Sequence, residues 1–174
     1  SIVAHCGGGG SAATGVMNLI TVRIAGEEGE EREDLQISTG DQVGVSLTVV
    51  RNPLNGSLKL YVALGSKVNV YSLPDGDLVD DVSIGDNVNV INLNSMCDQL
   101  AVGCESGTIK VFSSYEEKIN GLPDYGCEGH AKAVCAVAFS PRGNTMVSSA
   151  KDGTARVWNK DECTDVLTCS VKDP

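Results

Sequence analysis

The sequence predicts an all-β chain built from a small sheet used repeatedly. Three observations predict it. Residues 129–158 carry short strand patterns and tight turns in a fixed order. The closing part of that pattern recurs upstream at a near-constant period. The composition suits many short strands, with 20 glycines for turns, aromatic residues at only 4% and a core left to Val, Ile, Leu and Ala.

Taken in order, Val134-Cys135-Ala136-Val137-Ala138-Phe139 is an apolar run of the kind expected to be buried on both faces. Ser140-Pro141-Arg142-Gly143-Asn144 is a turn, because Pro fixes φ and Gly tolerates positive φ. Met146 to Ser149 is a second strand. Lys151-Asp152-Gly153 is a hairpin turn, a common use of Asp-Gly between two strands. Thr154 to Trp158 alternates as a third strand. The whole run opens on Gly129-His130 and closes on Val157-Trp158, and it resembles one WD repeat, the four-stranded blade of a β-propeller. The resemblance implies that His130, Ser148, Asp152 and Trp158 share a hydrogen-bond chain that locks the blade. A buried polar chain of this kind is structural when every member is satisfied, so His130 is read as structural rather than as a catalytic or metal-binding residue.

Val111-Phe112 follows Glu105-Ser106-Gly107-Thr108-Ile109-Lys110, as Val157-Trp158 follows Lys151 to Arg156. Val70-Tyr71 follows Gly65 to Asn69, and Leu19-Ile20-Thr21-Val22-Arg23-Ile24 is an earlier candidate. The steps from Val22 to Val70, Val111 and Val157 are 48, 41 and 46 residues, against about 40 to 45 for a WD blade. This reads as about four blades, at approximately residues 1–40, 41–82, 83–126 and 127–174. Propellers close to remove open sheet edges, usually with about seven blades in WD proteins. The chain is therefore expected to be the front part of a larger propeller, with residues missing from loops as the alternative. Thr168-Cys169-Ser170-Val171 is expected as an outer strand.

The net charge of −10 repels phosphates, so nucleic acid is not an expected partner, and a basic partner is favoured. The densest acidic run, Glu27 to Asp34, reads as a solvated loop. No apolar stretch is long enough to span a membrane, and no signal peptide is visible. The seven cysteines, Cys6, Cys97, Cys104, Cys127, Cys135, Cys163 and Cys169, lack zinc-knuckle spacing and are read as reduced, which points to the cytosol. Cys135, inside its apolar strand, is read as a small hydrophobe. Pairing Cys6 with His5 is poor chemistry, since strand neighbours point to opposite faces.

The second informative segment is Cys6-Gly7-Gly8-Gly9-Gly10-Ser11-Ala12-Ala13-Thr14-Gly15-Val16-Met17-Asn18, running into the strand Leu19 to Ile24. It is not a phosphate loop: Gly15 is followed by Val16 and Met17 where Lys-Ser/Thr is required, and no helix follows. A connection of nearly a dozen residues is long for a hairpin, and a long loop on a rigid rim is a place for function. Taken without any family, Asn18 reads as a turn residue.

The run of four glycines, three small residues, Thr14-Gly15, an aliphatic residue, one further residue and Asn18 resembles the endoplasmic-reticulum guanine-nucleotide-exchange factors for the small GTPase of the COPII coat, the prolactin regulatory element-binding protein family. That resemblance covers about residues 3 to 24. It implies a first-blade loop that projects, is stiffened by a potassium ion and acts on the GTPase at the cytosolic face of the endoplasmic reticulum. Gly7 to Gly10, Thr14, Gly15 and Asn18 match. On this reading Thr14, Gly15, Val16, Met17 and Asn18 contact the GTPase, and Asn18 supplies the polar side chain. The backbone carbonyls of Gly10, Ser11 and Ala12 hold the ion, and carbonyl rings suit potassium. The absence of a carboxylate within the loop argues against calcium or magnesium. The family's C-terminal membrane anchor is not among these residues. The implied action is binding, without covalent chemistry. A WD scaffold without exchange activity is the main alternative; an enzyme using the glycine loop is the weaker one, for want of the Lys and the helix.

Overall fold

The structure, a computed structural model, describes residues 2–9, 15–24, 34–115 and 118–168. Sixteen strands form four antiparallel sheets, and no helix occurs among the described residues. The first sheet holds β1 (Ile2–Gly7), β2 (Leu19–Ile24) and β3 (Leu35–Ser38) in chain order. The second holds β4 (Gly44–Arg51), β5 (Leu58–Leu64), β6 (Lys67–Leu73) and β7 (Leu78–Ser83). In the third, β8 (Val88–Leu93), β9 (Gln99–Cys104) and β10 (Ile109–Tyr115) are followed by a broken outer edge, β11 (Lys118–Ile119) and β12 (Tyr125–Cys127), both paired with β10. The fourth holds β13 (Val134–Phe139), β14 (Met146–Ala150), β15 (Thr154–Asn159) and β16 (Glu162–Thr168).

Successive sheets pack face to face. β1 lies beside β4, β4 beside β8, and β8 beside β13, so the sheets follow one another round an arc with β4, β8 and β13 on its inside. Three cores fill the three gaps. Ile20, Val22 and Ile37 meet Leu60, Val62 and Tyr71 between the first and second sheets. Val68 and Val70 meet Ile91, Leu100 and Phe112 between the second and third. Ala101, Ile109 and Val111 meet Val134, Val137 and Trp158 between the third and fourth. Period-two alternation explains how one strand serves two cores: on β10, Val111 points one way and Phe112 the other. Middle strands are accordingly apolar on both faces, as on β9, where Leu100, Ala101, Val102 and Cys104 are all fully buried.

The fourth sheet departs from expectation. Val134 and Val137 are buried, but Cys135, Ala136 and Ala138 are exposed. Val134 to Phe139 is therefore covered on one face only, and Cys135 is a surface thiol rather than a core hydrophobe. The reason is geometric: no described residue packs on that sheet's far side, and Val147 and Leu167 on β14 and β16 are exposed as well. The outer strand also comes earlier than expected, at Glu162–Thr168; Cys169, Ser170 and Val171 lie outside the described residues. So do Glu27 to Glu33 of the acidic run. Its last member, Asp34, forms a two-pronged pair with Arg23 at 2.7 and 2.5 Å.

Candidate functional site

Each complete hairpin between the second and third strands of a sheet ends in a tight turn: Gly65-Ser66 in the second sheet, residues 105–108 in the third and 151–153 in the fourth. These turns stand at one rim, bonded to the connections between sheets. The Ile84 N–H donates to the Ser66 carbonyl at 2.8 Å, Glu105 N–H to Asn87 at 2.8 Å, and Lys151 N–H to Ala133 at 2.9 Å. In the first sheet the equivalent place, between β1 and β2, is taken by residues 8–18. A hairpin that needs two to four residues elsewhere is here extended to eleven, and its root is bonded to the same kind of connection.

That root is Asn18, only 3% exposed. Its Nδ2 donates to the Gly40 carbonyl at 2.8 Å, and its carbonyl accepts the Thr39 N–H at 3.1 Å. Gly8 lies directly against it: a Cβ there would come within 2.6 Å of the Asn18 Cα, so only glycine fits this close approach. Gly15 has φ +72°, a left-handed value that glycine adopts at no steric cost. Beyond it Val16 and Met17 are 60% and 69% exposed. Among the described loop residues, then, the apolar pair faces solvent while Asn18 is turned inward. A contact made through the Asn18 amide needs an accessible side chain; the structure gives that amide a bracing role instead. Thr14 and the carbonyl set Gly10, Ser11 and Ala12 lie outside the described residues.

Asn18→Ala is expected to destabilise by about 2 kcal/mol, because it removes the donor from the Gly40 carbonyl inside a buried root. Urea unfolding checks this; a loss below about 0.5 kcal/mol would mean that the root is not braced by Asn18.

At the other end of the arc, five side chains of the fourth sheet and its connections form one hydrogen-bond chain. Trp158 Nε1–H donates to Ser148 Oγ at 2.8 Å, and Ser148 Oγ lies 2.8 Å from His130 Nε2. His130 Nδ1 lies 3.1 Å from Asp152 Oδ2 and 3.0 Å from Thr154 Oγ1. With the proton on Nδ1, every group finds a role: Ser148 donates to Nε2, Nδ1 donates to Asp152, and the Thr154 hydroxyl donates to Asp152 Oδ1 at 2.7 Å. Thr154, absent from the sequence-level set, completes the chain; its place directly after Asp152-Gly153 was the available signal. His130 and Trp158 also meet edge to face, with ring centroids 6.2 Å apart. The His130 side chain is fully buried, so this chain is a clasp between strands and not an open site.

Burial pushes the Asp152 carboxyl up, but hydrogen bonds from the Thr154 hydroxyl, the Ala131 and Thr154 N–H groups and His130 outweigh it. They hold the group well below its ordinary value of 3.8. A carboxylate with a depressed folded value stabilises the fold fully above its unfolded value, and that contribution is lost as pH falls towards the folded one. The expected result is an acid-sensitive component of stability that starts to disappear below about pH 4 and is missing from Asp152→Asn, itself less stable by about 2 kcal/mol at neutral pH. Urea unfolding of both proteins between pH 7 and pH 3 checks it; parallel pH profiles would contradict it.

The six described cysteines are free thiols. Burial, with Asp161 nearby, pushes Cys127 up to about 12, and burial pushes Cys104 up to about 11. Neither carries thiolate at neutral pH, so neither is a nucleophile. No group of three or more His, Cys, Asp or Glu side chains among the described residues is placed to hold a metal ion. No helix among them is long and apolar enough to cross a membrane.

Residues 122–159 match the family "WD domain, G-beta repeat". Polyadenylation factor subunit 2 of Eremothecium gossypii is 27% identical over 133 residues, covering 71% of this chain and 29% of that protein. Periodic tryptophan protein 2 of Saccharomyces cerevisiae is 30% identical over 92 residues, covering 52% of this chain and 10% of its own length. Among solved structures, a chain of the mitotic checkpoint complex superposes with a TM-score of 0.69 at 20% identity, over 88% of this chain and 47% of that chain. The fold is that of the WD-repeat β-propellers, and residues 122–159 are similar to one WD repeat. It spans less than a third of the first of these relatives.

Proposed function

We propose that this propeller acts through its first-sheet loop, residues 8–18, as a guanine-nucleotide-exchange factor for the small GTPase that starts COPII coat assembly. A WD-repeat propeller is consistent with a protein-interaction scaffold, and the proposal makes the long hairpin its working contact. One observation carries it: an eleven-residue loop with Val16 and Met17 exposed at its described end, standing where the other sheets need two to four residues. Exposed apolar side chains on a braced loop suit a protein contact. The choice of GTPase rests on the resemblance of Gly7 to Gly10, Thr14, Gly15 and Asn18, since the relatives reported above are other WD-repeat proteins.

In this reading Gly15, Val16 and Met17 meet the GTPase, Thr14 adds a polar contact, and Asn18 fixes the loop's angle from below. Exchange needs no covalent step: the loop favours the nucleotide-free GTPase over the nucleotide-bound form, and only such a difference in affinity shifts the equilibrium. A potassium ion on the carbonyls of Gly10, Ser11 and Ala12 would stiffen the loop. Action at the cytosolic face of the endoplasmic reticulum follows from the same resemblance.

The test is release of a fluorescent GDP analogue from the COPII GTPase with and without the protein, in potassium and in sodium buffer. Acceleration, greater in potassium, supports both parts of the proposal. No acceleration in either buffer removes the exchange reading and leaves the scaffold.

A further inference from the structure

We propose that Asn120 is a self-modifying site: it loses its side-chain amide by attack from the Gly121 backbone nitrogen and becomes an aspartyl or isoaspartyl residue at the broken outer edge of the third sheet. The sequence holds two Asn-Gly steps, Asn55-Gly56 and Asn120-Gly121. A following glycine leaves the attacking nitrogen without a neighbouring Cβ, so ring closure is least hindered at these two steps.

The structure separates the two. Gly56 N–H donates to the Asn52 carbonyl at 2.9 Å, and Asn55 Oδ1 accepts the Ser57 N–H at 2.9 Å. The attacking nitrogen and the amide under attack are therefore both held in the β4–β5 turn, which Asn52 N–H closes by donating to the Ser57 carbonyl at 2.8 Å. Asn120-Gly121 instead opens the excursion of residues 120–124 between β11 and β12. That excursion is pinned only at its ends, by Asn120 N–H on the Ser113 carbonyl and Asp124 N–H on the Val111 carbonyl, each at 2.8 Å. Between the pins Asn120, Gly121 and Leu122 are exposed. Among the described residues neither the Asn120 side chain nor the Gly121 N–H makes a hydrogen bond. A Cβ placed on Gly121 would meet nothing within 4 Å. Water and base reach the nitrogen, and no packed group has to move as the ring closes.

The chemistry needs only base and water. Base removes the Gly121 amide proton, and the nitrogen attacks Asn120 Cγ. A C–N bond forms, the Cγ–Nδ2 bond breaks, and Nδ2 takes up a proton and leaves as ammonia. The resulting five-membered succinimide adds one water. Opening at Cγ restores the peptide and leaves aspartate. Opening at the Asn120 carbonyl carbon leaves isoaspartate, with the chain now running through the side chain. Nothing is oxidised or reduced. Either product adds a negative charge to a chain already at −10. Isoaspartate also lengthens the backbone by a methylene, which the exposed excursion absorbs while the Asn120 N–H keeps its pin to Ser113. The α-carboxylate freed in that product is the group that an isoaspartyl carboxyl methyltransferase takes as substrate. None of these observations involves the exchange reading.

The test is incubation of the folded protein in ¹⁸O-labelled water at mildly alkaline pH, followed by mass-spectrometric peptide mapping over time. One ¹⁸O is expected to enter at residue 120, faster than at residue 55 by at least about tenfold, the factor that opening two modest hydrogen bonds imposes. In urea, which abolishes both turns, the two steps are expected to react at similar rates. An isoaspartyl methyltransferase with a labelled methyl donor is expected to mark the peptide that contains residue 120. Gly121→Ala, for which there is open space, is expected to slow uptake at residue 120 and to leave the melting temperature unchanged. A folded-state rate at residue 120 no greater than at residue 55, or no uptake at residue 120 while the urea-unfolded chain reacts, would overturn the proposal.

Discussion

Trp158→Ala is expected to lower stability by about 4 kcal/mol, the middle of the range for truncating a large buried aromatic, and the melting temperature by roughly 10 °C for a chain of this size. Trp158 is 1% exposed and packs in the core between the third and fourth sheets. The substitution opens a cavity there and deprives Ser148 Oγ of its indole donor. It also removes the edge contact with His130. Trp158→Phe keeps much of the volume and loses the N–H, so about half of the effect is expected to remain. Thermal and urea unfolding of the three proteins read the series. Loss of less than about 1 kcal/mol in Trp158→Ala would show that the clasp does not hold the fourth sheet together.

The second large effect falls on function. Val16 and Met17 are exposed, so Val16→Asp with Met17→Asp should leave the melting temperature within about 2 °C of the parent, as surface changes usually do. Interfaces concentrate their energy in a few apolar anchors worth about 2 kcal/mol or more each. Charging both is therefore expected to cut acceleration of GDP release at least tenfold. A change in stability with exchange rate unaltered would place the pair in the fold and not at the contact.

The clasp was legible because its members sit at fixed offsets around a Ser-Pro-x-Gly turn and an Asp-Gly turn, and turn chemistry is local. The long hairpin was legible for the same reason: glycines and a β-branched run mark where strand and loop exchange. What escaped was set by packing between sheets. Asn18 has the composition of a contact residue, but the close approach of Gly8 and the Gly40 carbonyl turns its amide inward. Cys135 sits in an apolar run and still faces solvent, because coverage of a strand's second face depends on a neighbouring sheet. The broken outer edge of the third sheet follows from residues 120–124 leaving the ladder between β11 and β12, a matter of register that no local pattern records.

The central claim is that a stable WD scaffold carries one working loop. The measurement that tests it most directly is GDP release from the COPII GTPase with the natural protein and with a version whose residues 8–18 are replaced by the Gly-Ser turn of the second sheet. The account predicts acceleration by the natural protein, release at the unassisted rate with the replaced loop, and unfolding curves for the two that differ by no more than the lost root bonds. Acceleration that survives the replacement, or none by the natural protein, would contradict it.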